Sequence, residues 1–181
     1  EFFKKGNLLG IVLNRPDFGN TLNIDLAKEL YHATNTVAAD ESIKALILTG
    51  KGKLFCGGGD LKFLMTKQEK IKQTLLEMTH YFHGAIARMT RMDTPVIIGI
   101  NGTAGGGGFS LAITGDIIFS IKEAKFTLAY TNAGLSPDGS STFFLPRIVG
   151  MKRAKELMLT NRVFSAAEAL NMNLIDKVLD D

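Results

Sequence analysis

Two glycine-rich segments have the residue types and spacing best suited to chemistry in this sequence. They are residues 55–61 (FCGGGDL) and residues 101–110 (NGTAGGGGFS). Each follows an apolar, strand-like stretch directly or after a short turn, and each precedes a helical pattern. Glycine lets the backbone approach a ligand closely, and its N–H groups at a helix start favour negative charge. A tight turn would explain one such segment, but two in one small domain predict a bound anion or an oxyanion.

The two common phosphate-binding patterns do not fit these glycines. The Walker pattern needs Ser or Thr after its Gly-Lys pair, and neither residues 50–51 nor residues 52–53 are followed by one. The dinucleotide pattern G-x-G-x-x-G would need a further glycine at Lys62 or at Ser110. An oxyanion hole, which stabilises a carbonyl oxygen that becomes negative during the reaction, therefore remains the favoured interpretation.

Nucleophiles and metal ligands fit the sequence less well. Residues 108–112 (GFSLA) resemble a nucleophile elbow around Ser110, but such a hydrolase needs a later histidine, and all three histidines precede this serine. Cys56 has no neighbour to pair with, so we interpret it as a buried packing residue. His80 and His83 lie three positions apart on a predicted helix without an evident third ligand. We therefore expect partly exposed side chains and no metal site there.

Carboxylates are the better candidates for catalysis. Asp60 directly follows the first glycine segment, where it is predicted to cap a helix, and Asp116 is predicted to be structural at the start of a strand. Asp138 lies in residues 134–142 (GLSPDGSST). Its Pro-Asp-Gly sequence is typical of a turn, and an acid on a positioned loop is also suited to general acid/base catalysis. The residues alone leave both interpretations of Asp138 open.

Alternating strands and helices must position these segments. The alternation indicates an α/β fold, and the length of 181 residues without a linker predicts one domain over residues 1–181. The apolar patterns predict strands at 8–13, 43–48, 96–100, 117–119 and 174–178, and helices at 26–37 (capped by Asn23), 69–90, 140–148, 152–159 and 166–171.

Composition excludes several classes of protein. Hydrophobic residues make up 45% and charged residues 22%, which is too apolar for a disordered chain. No apolar run approaches the roughly 18 residues of a membrane span, so no membrane partner is expected. The net charge of +3 comes from scattered Lys and Arg, so nucleic-acid binding is not expected. The single cysteine excludes a disulfide framework and indicates a reducing compartment, for which we expect the cytoplasm, with an organelle matrix as the alternative.

On these residues the sequence resembles the crotonase (enoyl-CoA hydratase/isomerase) superfamily. The similarity runs from residues 14–16 (NRP) and 20–23 (NTLN) to residues 174–178, through both glycine segments. The resemblance implies that the N–H groups of Gly57 and Gly107 form an oxyanion hole for the thioester oxygen of an acyl-CoA. It further implies the substrate-binding residues Gly57, Gly58, Gly59, Asp60, Leu61, Gly106, Gly107, Tyr130 and Leu135.

The resemblance also implies an architecture and an assembly. The implied fold is a crotonase-like spiral of ββα units, which usually assembles as trimers or as pairs of trimers. Coenzyme A is then part of the substrate, and neither a separate cofactor nor a metal is expected. Family members usually continue into C-terminal helices that cover the acyl pocket, so we expect residues 1–181 to be the core of a longer protein.

Departures from the family pattern favour one reaction. The two glutamates of the hydratases would fall at Ser110 and Tyr130, and neither residue can act as a carboxylate base. Residues 136–139 (SPDG) are similar to a subgroup of enoyl-CoA isomerases, including ring-epoxide isomerases, that places one acid at the position of Asp138. The resemblance therefore implies a double-bond isomerase in which Asp138 moves the proton.

The surroundings and role of Asp138 separate the remaining hypotheses. We expect its carboxylate to be buried beside Leu135, Phe143 and Phe144. If Asp138 alone directs water, the enzyme is a hydratase or a hydrolase. If Asp138 neither moves a proton nor directs water, the protein is a non-catalytic acyl-CoA-binding or scaffold member. Dehalogenases of aryl-CoA thioesters use an aspartate of this loop as a nucleophile, usually with a tryptophan, which this sequence lacks.

Overall fold

Strands and α-helices alternate along residues 1–180, the part of the chain that the computed structural model describes. This order confirms the predicted α/β class. The strands are β1 (Phe2–Lys5), β2 (Leu8–Leu13), β3 (Ala45–Gly50), β4 (Leu54–Cys56), β5 (Val96–Ile100), β6 (Thr103–Gly105), β7 (Ile117–Ile121), β8 (Lys125–Thr127), β9 (Phe164–Ser165) and β10 (Lys177–Leu179). The helices are α1 (Ile24–Ala39), α2 (Leu61–Met65), α3 (Ile71–Met89), α4 (Gly107–Ala112), α5 (Ser141–Thr160) and α6 (Ala166–Asn171).

A six-stranded sheet forms the frame of the molecule, in the order β1-β2-β3-β5-β7-β10. Only β1 runs antiparallel to its neighbour, and the remaining pairs are parallel. The β-branched residues Val96, Ile98 and Ile100 of the central β5 are buried on one face. Parallel strands of this kind need cover on their faces, which explains their nearly continuous apolar sequences.

Pairs of consecutive strands divide between two sheets and thereby generate the predicted ββα units. The first strand of each pair (β3, β5 and β7) joins the large sheet, and the second (β4, β6 and β8) joins a four-stranded sheet of order β4-β6-β8-β9. A helical segment follows each pair, namely α2 with α3, then α4, then α5. This repetition confirms the spiral of ββα units.

The small sheet fixes where the glycine segments lie. Strands β4, β6 and β8 are mutually parallel, and β9 pairs with β8 antiparallel. The last residues of the three parallel strands are Cys56, Gly105 and Thr127. Because the carboxyl ends of parallel strands share one edge of a sheet, the segments that follow these residues meet there. These short strands were not predicted individually from the sequence.

Two further predictions of secondary structure have different outcomes. The two helices predicted at 140–148 and 152–159 are confirmed as two helical segments of α5, which meet at a kink at Gly150, where φ is 78°. The strand predicted at 174–178 is placed wrongly, because β10 begins only at Lys177, and Leu174 and Ile175 pack in the core before it. Within residues 1–180, no helix is long and apolar enough to cross a membrane.

We predict that Gly108→Ala destabilises the fold by about 3 kcal/mol, because overpacking of a rigid site has costs of this order. A Cβ at this position would lie 2.1 Å from the carbonyl oxygen of Cys56, which is backbone and cannot move away alone. Urea unfolding should show this decrease in the free energy of unfolding. The control Gly99→Ala meets its nearest atom at 3.7 Å and should change stability by less than about 1 kcal/mol. Equal stabilities of the two variants would contradict the prediction.

Candidate active site

A largely apolar cavity of about 130 Å³ lies where the carboxyl edge of the small sheet faces α3. Both glycine segments and Asp138 contribute to its wall, so the structure brings together Gly57 and Asp138, which lie 81 positions apart in the sequence. The lining residues are Leu22, Gly57, Gly59, Leu61, Leu64, Leu75, Met78, Thr79, Phe82, Gly106, Gly107, Ala129, Tyr130, Ala133, Leu135 and Asp138.

The two glycine segments pack against each other backbone to backbone. A Cβ on Gly58, whose φ is +97°, would lie 2.8 Å from the carbonyl oxygen of Gly105. A Cβ on Gly108 would lie 2.1 Å from the carbonyl oxygen of Cys56. Side chains at these positions would separate the segments, so glycine is required for the two loops to approach this closely.

The N–H groups of the first segment have three different environments. The Gly57 N–H donates to the carbonyl oxygen of Gly19 at 2.9 Å, which contradicts the prediction that it is free for a substrate oxygen. The Gly58 N–H faces the sulfur of Cys56. The Gly59 N–H has no acceptor among the described residues, and Gly59 lines the cavity with open space around its Cα. Gly59, and not Gly57, is therefore the available donor of this segment.

The second segment supplies a donor at Gly107. Strand β6 ends at Gly105, and Gly106 turns the backbone with a φ of 50° before α4 begins. The Gly106 N–H donates to Thr127, whereas no acceptor within residues 1–180 pairs with the N–H of Gly107. Gly107 lines the cavity, as predicted for a residue of the site. Each glycine segment thus contributes one unpaired backbone donor to the cavity, Gly59 from the first and Gly107 from the second.

Asp60 supports the first segment from outside the cavity. Its Oδ1 accepts from the N–H of Phe63 at 2.9 Å and so caps α2, as predicted. Its Oδ2 lies 3.1 Å from the guanidinium of Arg15. Neither Asp60 nor Gly58 is among the residues that line the cavity, so the structure does not bring these two predicted substrate-binding residues to its wall. Leu61 does line the cavity.

Asp138 enters the site on the loop that precedes α5. Its side chain lines the cavity but is 35% exposed, so the predicted burial of the carboxylate is wrong. Leu135 is itself 39% exposed, and the Phe143 ring turns away to lie under the guanidinium of Arg147 at 3.6 Å. The carboxylate therefore has access to both the cavity and water.

His83 contacts Asp138, and sequence reasoning missed this contact. Its Nε2 lies 3.1 Å from Oδ2 of Asp138 and 3.2 Å from the backbone N of Gly139. Nε2 either donates to the carboxylate or accepts from Gly139, so the position of one proton decides which contact is a hydrogen bond. The sequence offers little sign of this contact, because His83 lies 55 positions from Asp138. His83 is also not one of the buried residues of α3, to which its neighbour Phe82 belongs.

Ser110 and Tyr130, the positions of the two absent glutamates, lie side by side. Ser110 Oγ and Tyr130 Oη are 2.7 Å apart in a buried environment. Burial raises the pKa of Tyr130 well above its usual range, and the negative charge of Asp138 raises it further. Both groups are therefore neutral hydroxyls, and Asp138 is the only carboxylate among the lining residues of this cavity within the described chain.

The other sequence candidates are structural. Asp116 accepts from the backbone N–H of Val96 at 2.7 Å, as expected for a structural residue. No cluster of three His, Cys, Asp or Glu side chains suited to a metal occurs in residues 1–180. A larger groove of about 420 Å³ lies between β2 and α1, but neither glycine segment nor Asp138 reaches it.

Known proteins match this chain in both sequence and fold. Residues 4–181 match the family described as enoyl-CoA hydratase/isomerase. The chain is 34% identical to a 1,2-epoxyphenylacetyl-CoA isomerase of Escherichia coli over 96% of this chain and 67% of that protein. It is 34% identical to a 4-chlorobenzoyl coenzyme A dehalogenase of Arthrobacter, over 94% of this chain and 62% of the relative's length. A crystal structure of enoyl-CoA hydratase from Bacillus halodurans superposes with a TM-score of 0.94 at 28% identity, covering 100% of this chain and 73% of that one.

We predict that Cys56 resists alkylation in the folded protein. Burial raises the pKa of its thiol to about 12, from 9.0, so about 1,000-fold less thiolate is present at pH 8 than in the unfolded chain. Mass spectrometry after iodoacetamide treatment should show slow labelling in buffer and rapid labelling in urea. Because the sequence has one cysteine, Cys56→Ala is a complete control. Rapid labelling of the folded protein would contradict the buried, inert thiol.

Proposed function

The chain belongs to the enoyl-CoA hydratase/isomerase family, and on that basis we propose that it moves the double bond of an enoyl-CoA thioester. The observation that carries the proposal is the meeting of three groups at one cavity. These are the unpaired N–H groups of Gly59 and Gly107 and the carboxylate of Asp138. Two donors suit an enolate oxygen, and one carboxylate suits a proton transfer.

The proposed reaction begins with removal of the proton on the α-carbon of a 3-enoyl thioester. The carboxylate of Asp138 takes the proton, and the electrons of the C–H bond move onto the thioester oxygen. The N–H groups of Gly59 and Gly107 donate to this oxygen as it becomes negative. The loss of one such donor costs about 3–4 kcal/mol of transition-state stabilisation in comparable sites.

The reaction ends when the same proton returns at the γ-carbon. The enolate electrons flow back, the double bond moves from the β,γ to the α,β position, and Asp138 regains its charge. Substrate and product have the same atoms, so no water, oxidant or separate cofactor is consumed. Coenzyme A is part of the substrate, and the apolar walls formed by Leu64, Met78 and Phe82 suit its acyl group.

The absence of a second carboxylate disfavours hydration. Syn-addition of water needs groups that hold and activate the water molecule, and the two family positions for them carry the hydroxyls of Ser110 and Tyr130. A non-catalytic acyl-CoA-binding role is disfavoured by Asp138, because a scaffold has no use for a carboxylate beside two free donors. Assembly as a homotrimer or as a hexamer stays a prediction, for which analytical ultracentrifugation is the measurement.

Hydrolytic dehalogenation of an aryl-CoA is a second candidate, favoured by the contact of His83 with Asp138. In that reaction the carboxylate adds to the halogen-bearing ring carbon, and halide leaves with the bonding electrons. Water then cleaves the aryl ester, and His83 accepts a proton of that water. Release of chloride from 4-chlorobenzoyl-CoA would support this candidate, whereas a shifted alkene from a 3-enoyl-CoA supports the isomerase.

We predict that Asp138→Asn lowers the isomerisation rate by about 100-fold to 10,000-fold, the usual contribution of a general acid/base. Binding of a saturated acyl-CoA should change little, because the two backbone donors remain. Turnover of 3-enoyl-CoA esters of several chain lengths, analysed for shifted and hydrated products, is the measurement. The exposed Asp93→Asn is a control with the same change of charge. Full activity of Asp138→Asn, or rapid hydration by the wild type, would overturn the proposed function.

We predict that His83→Ala lowers kcat by about 10-fold to 100-fold, as removal of an orienting partner does at comparable sites. The carboxylate of Asp138 then loses the contact at 3.1 Å that holds it on its exposed side. The matched control is His80→Ala on the same helix, because His80 contacts the rings of Tyr31 and Tyr81 and not the cavity. Equal rates for the two variants would exclude a role for His83.

A further inference from the structure

A short chain of hydrogen bonds connects Tyr130 and Ser110 to the backbone of Asp138. Ser110 Oγ lies 2.7 Å from Tyr130 Oη and 2.9 Å from the carbonyl oxygen of Asp138. Ser110 is fully buried, and Tyr130 is 7% exposed. The three residues come from α4, from the segment after β8 and from the loop before α5, so the chain of bonds spans three separate parts of the site.

The direction of these hydrogen bonds follows from the chemistry of the groups. A carbonyl oxygen only accepts, so the single hydroxyl proton of Ser110 is donated to Asp138. The oxygen of Ser110 is then free to accept, and Tyr130 donates to it. The raised pKa of Tyr130 keeps its hydroxyl proton available for this donation. An alternative acceptor for Ser110, the carbonyl of Gly106, is more distant at 3.5 Å.

Ser110 lies on the same helix as the second oxyanion donor. Helix α4 begins at Gly107, so Ser110 is three residues later, within one turn of the Gly107 N–H. The Ser110 hydroxyl therefore links the element that carries a donor for the thioester oxygen to the loop that carries the proposed base. One helical turn and one hydrogen bond separate the Gly107 N–H from the backbone of Asp138.

The loop is shaped to keep the Asp138 carbonyl in this position. Gly139 and Ser140 both have positive φ, at 58° and 62°, and reverse the backbone into α5. A Cβ on Gly139 would lie 2.8 Å from the Cβ of Ser110, so the loop rests directly on this serine. The hydroxyl of Ser141 donates to the same Asp138 carbonyl at 2.8 Å. The carbonyl thus points inward while the carboxylate points to the cavity and His83.

We propose that Ser110 and Tyr130 are positioning residues that set the carboxylate of Asp138 relative to the Gly107 N–H. This inference rests on the proposed function, because it assigns the two hydroxyls a purpose in proton transfer. The base must reach the α-carbon and the γ-carbon while the thioester oxygen stays on its donors, so the distance between the two elements decides the rate. Displacement of a catalytic group by about 1 Å can cost about 100-fold in rate.

The test compares Tyr130→Phe, Ser110→Ala and the double variant in the full chain. We expect each single variant to lower kcat for 3-enoyl-CoA by between about 10-fold and 100-fold. The double variant should be no slower than the slower single one, because both remove the same chain of bonds. The dissociation constant of a saturated acyl-CoA should change by less than about 3-fold, since the proposed donors to the thioester are untouched.

Thr114→Val is the matched control for stability. It removes another buried hydroxyl bond near the same helix, from Thr114 to the carbonyl of Leu111 at 2.7 Å, without touching the cavity. We expect normal kcat for this variant even if urea unfolding shows a similar loss of stability. Wild-type kcat in Tyr130→Phe, or a decrease in kcat that follows stability in all variants, would overturn the positioning role.

Hydrogen exchange separates this inference from the proposed function. The Ser141 N–H donates to the Asp138 carbonyl at 3.1 Å, so peptides over residues 134–141 report on the loop without any turnover. Faster exchange of these peptides in Tyr130→Phe and Ser110→Ala than in Thr114→Val supports the positioning role, even if the wild type isomerises nothing. Unchanged exchange overturns it, even if the wild type is an active isomerase.

Discussion

The parallel pairing of β4 with β6 is the interaction on which the rest of the site depends. It brings the ends of two strands, at Cys56 and Gly105, to one edge of the small sheet. The glycines that follow then pack backbone to backbone, and the cavity-lining N–H groups of Gly59 and Gly107 remain without a protein acceptor among residues 1–180. The donors are held by main-chain packing, which no side-chain rotation can disturb.

Asp138 carries the negative charge of the cavity, and the groups around it hold its backbone and its side chain in place. Asp138 is the only ionisable acid among the lining residues of the described chain. Its backbone is held by Ser110, and its carboxylate faces His83. A hydroxyl can bridge two elements without the desolvation penalty of a second buried charge, so a neutral connection suits a site that works with one carboxylate.

The sequence predicted the α/β class and the two glycine segments, because apolar periodicity and clustered glycines are local signals, whereas the ββα spiral was implied only by the family resemblance. It predicted the wrong glycine in the first segment. Gly57 and Gly59 are the same residue type two positions apart, and the acceptor of the Gly57 N–H, the carbonyl of Gly19, becomes its neighbour only after folding. The contact of His83 with Asp138 was missed for the same reason. The predicted burial of Asp138 was wrong because the Phe143 ring packs against Arg147 and does not cover the carboxylate. The apolar periodicity of the sequence does not predict that side-chain orientation.

The close contact between Gly139 and Ser110 limits which side chains position 110 can accept. A glutamate at position 110 would place a carboxylate where the serine hydroxyl now lies between two oxygen atoms, those of Tyr130 and the Asp138 carbonyl. Two acceptors would then face each other, and the loop that rests on Ser110 would have to move. A second carboxylate at position 110 therefore requires coordinated changes in the loop around Gly139, and substitution of Ser110 alone does not provide the space or the hydrogen-bond donors that it needs.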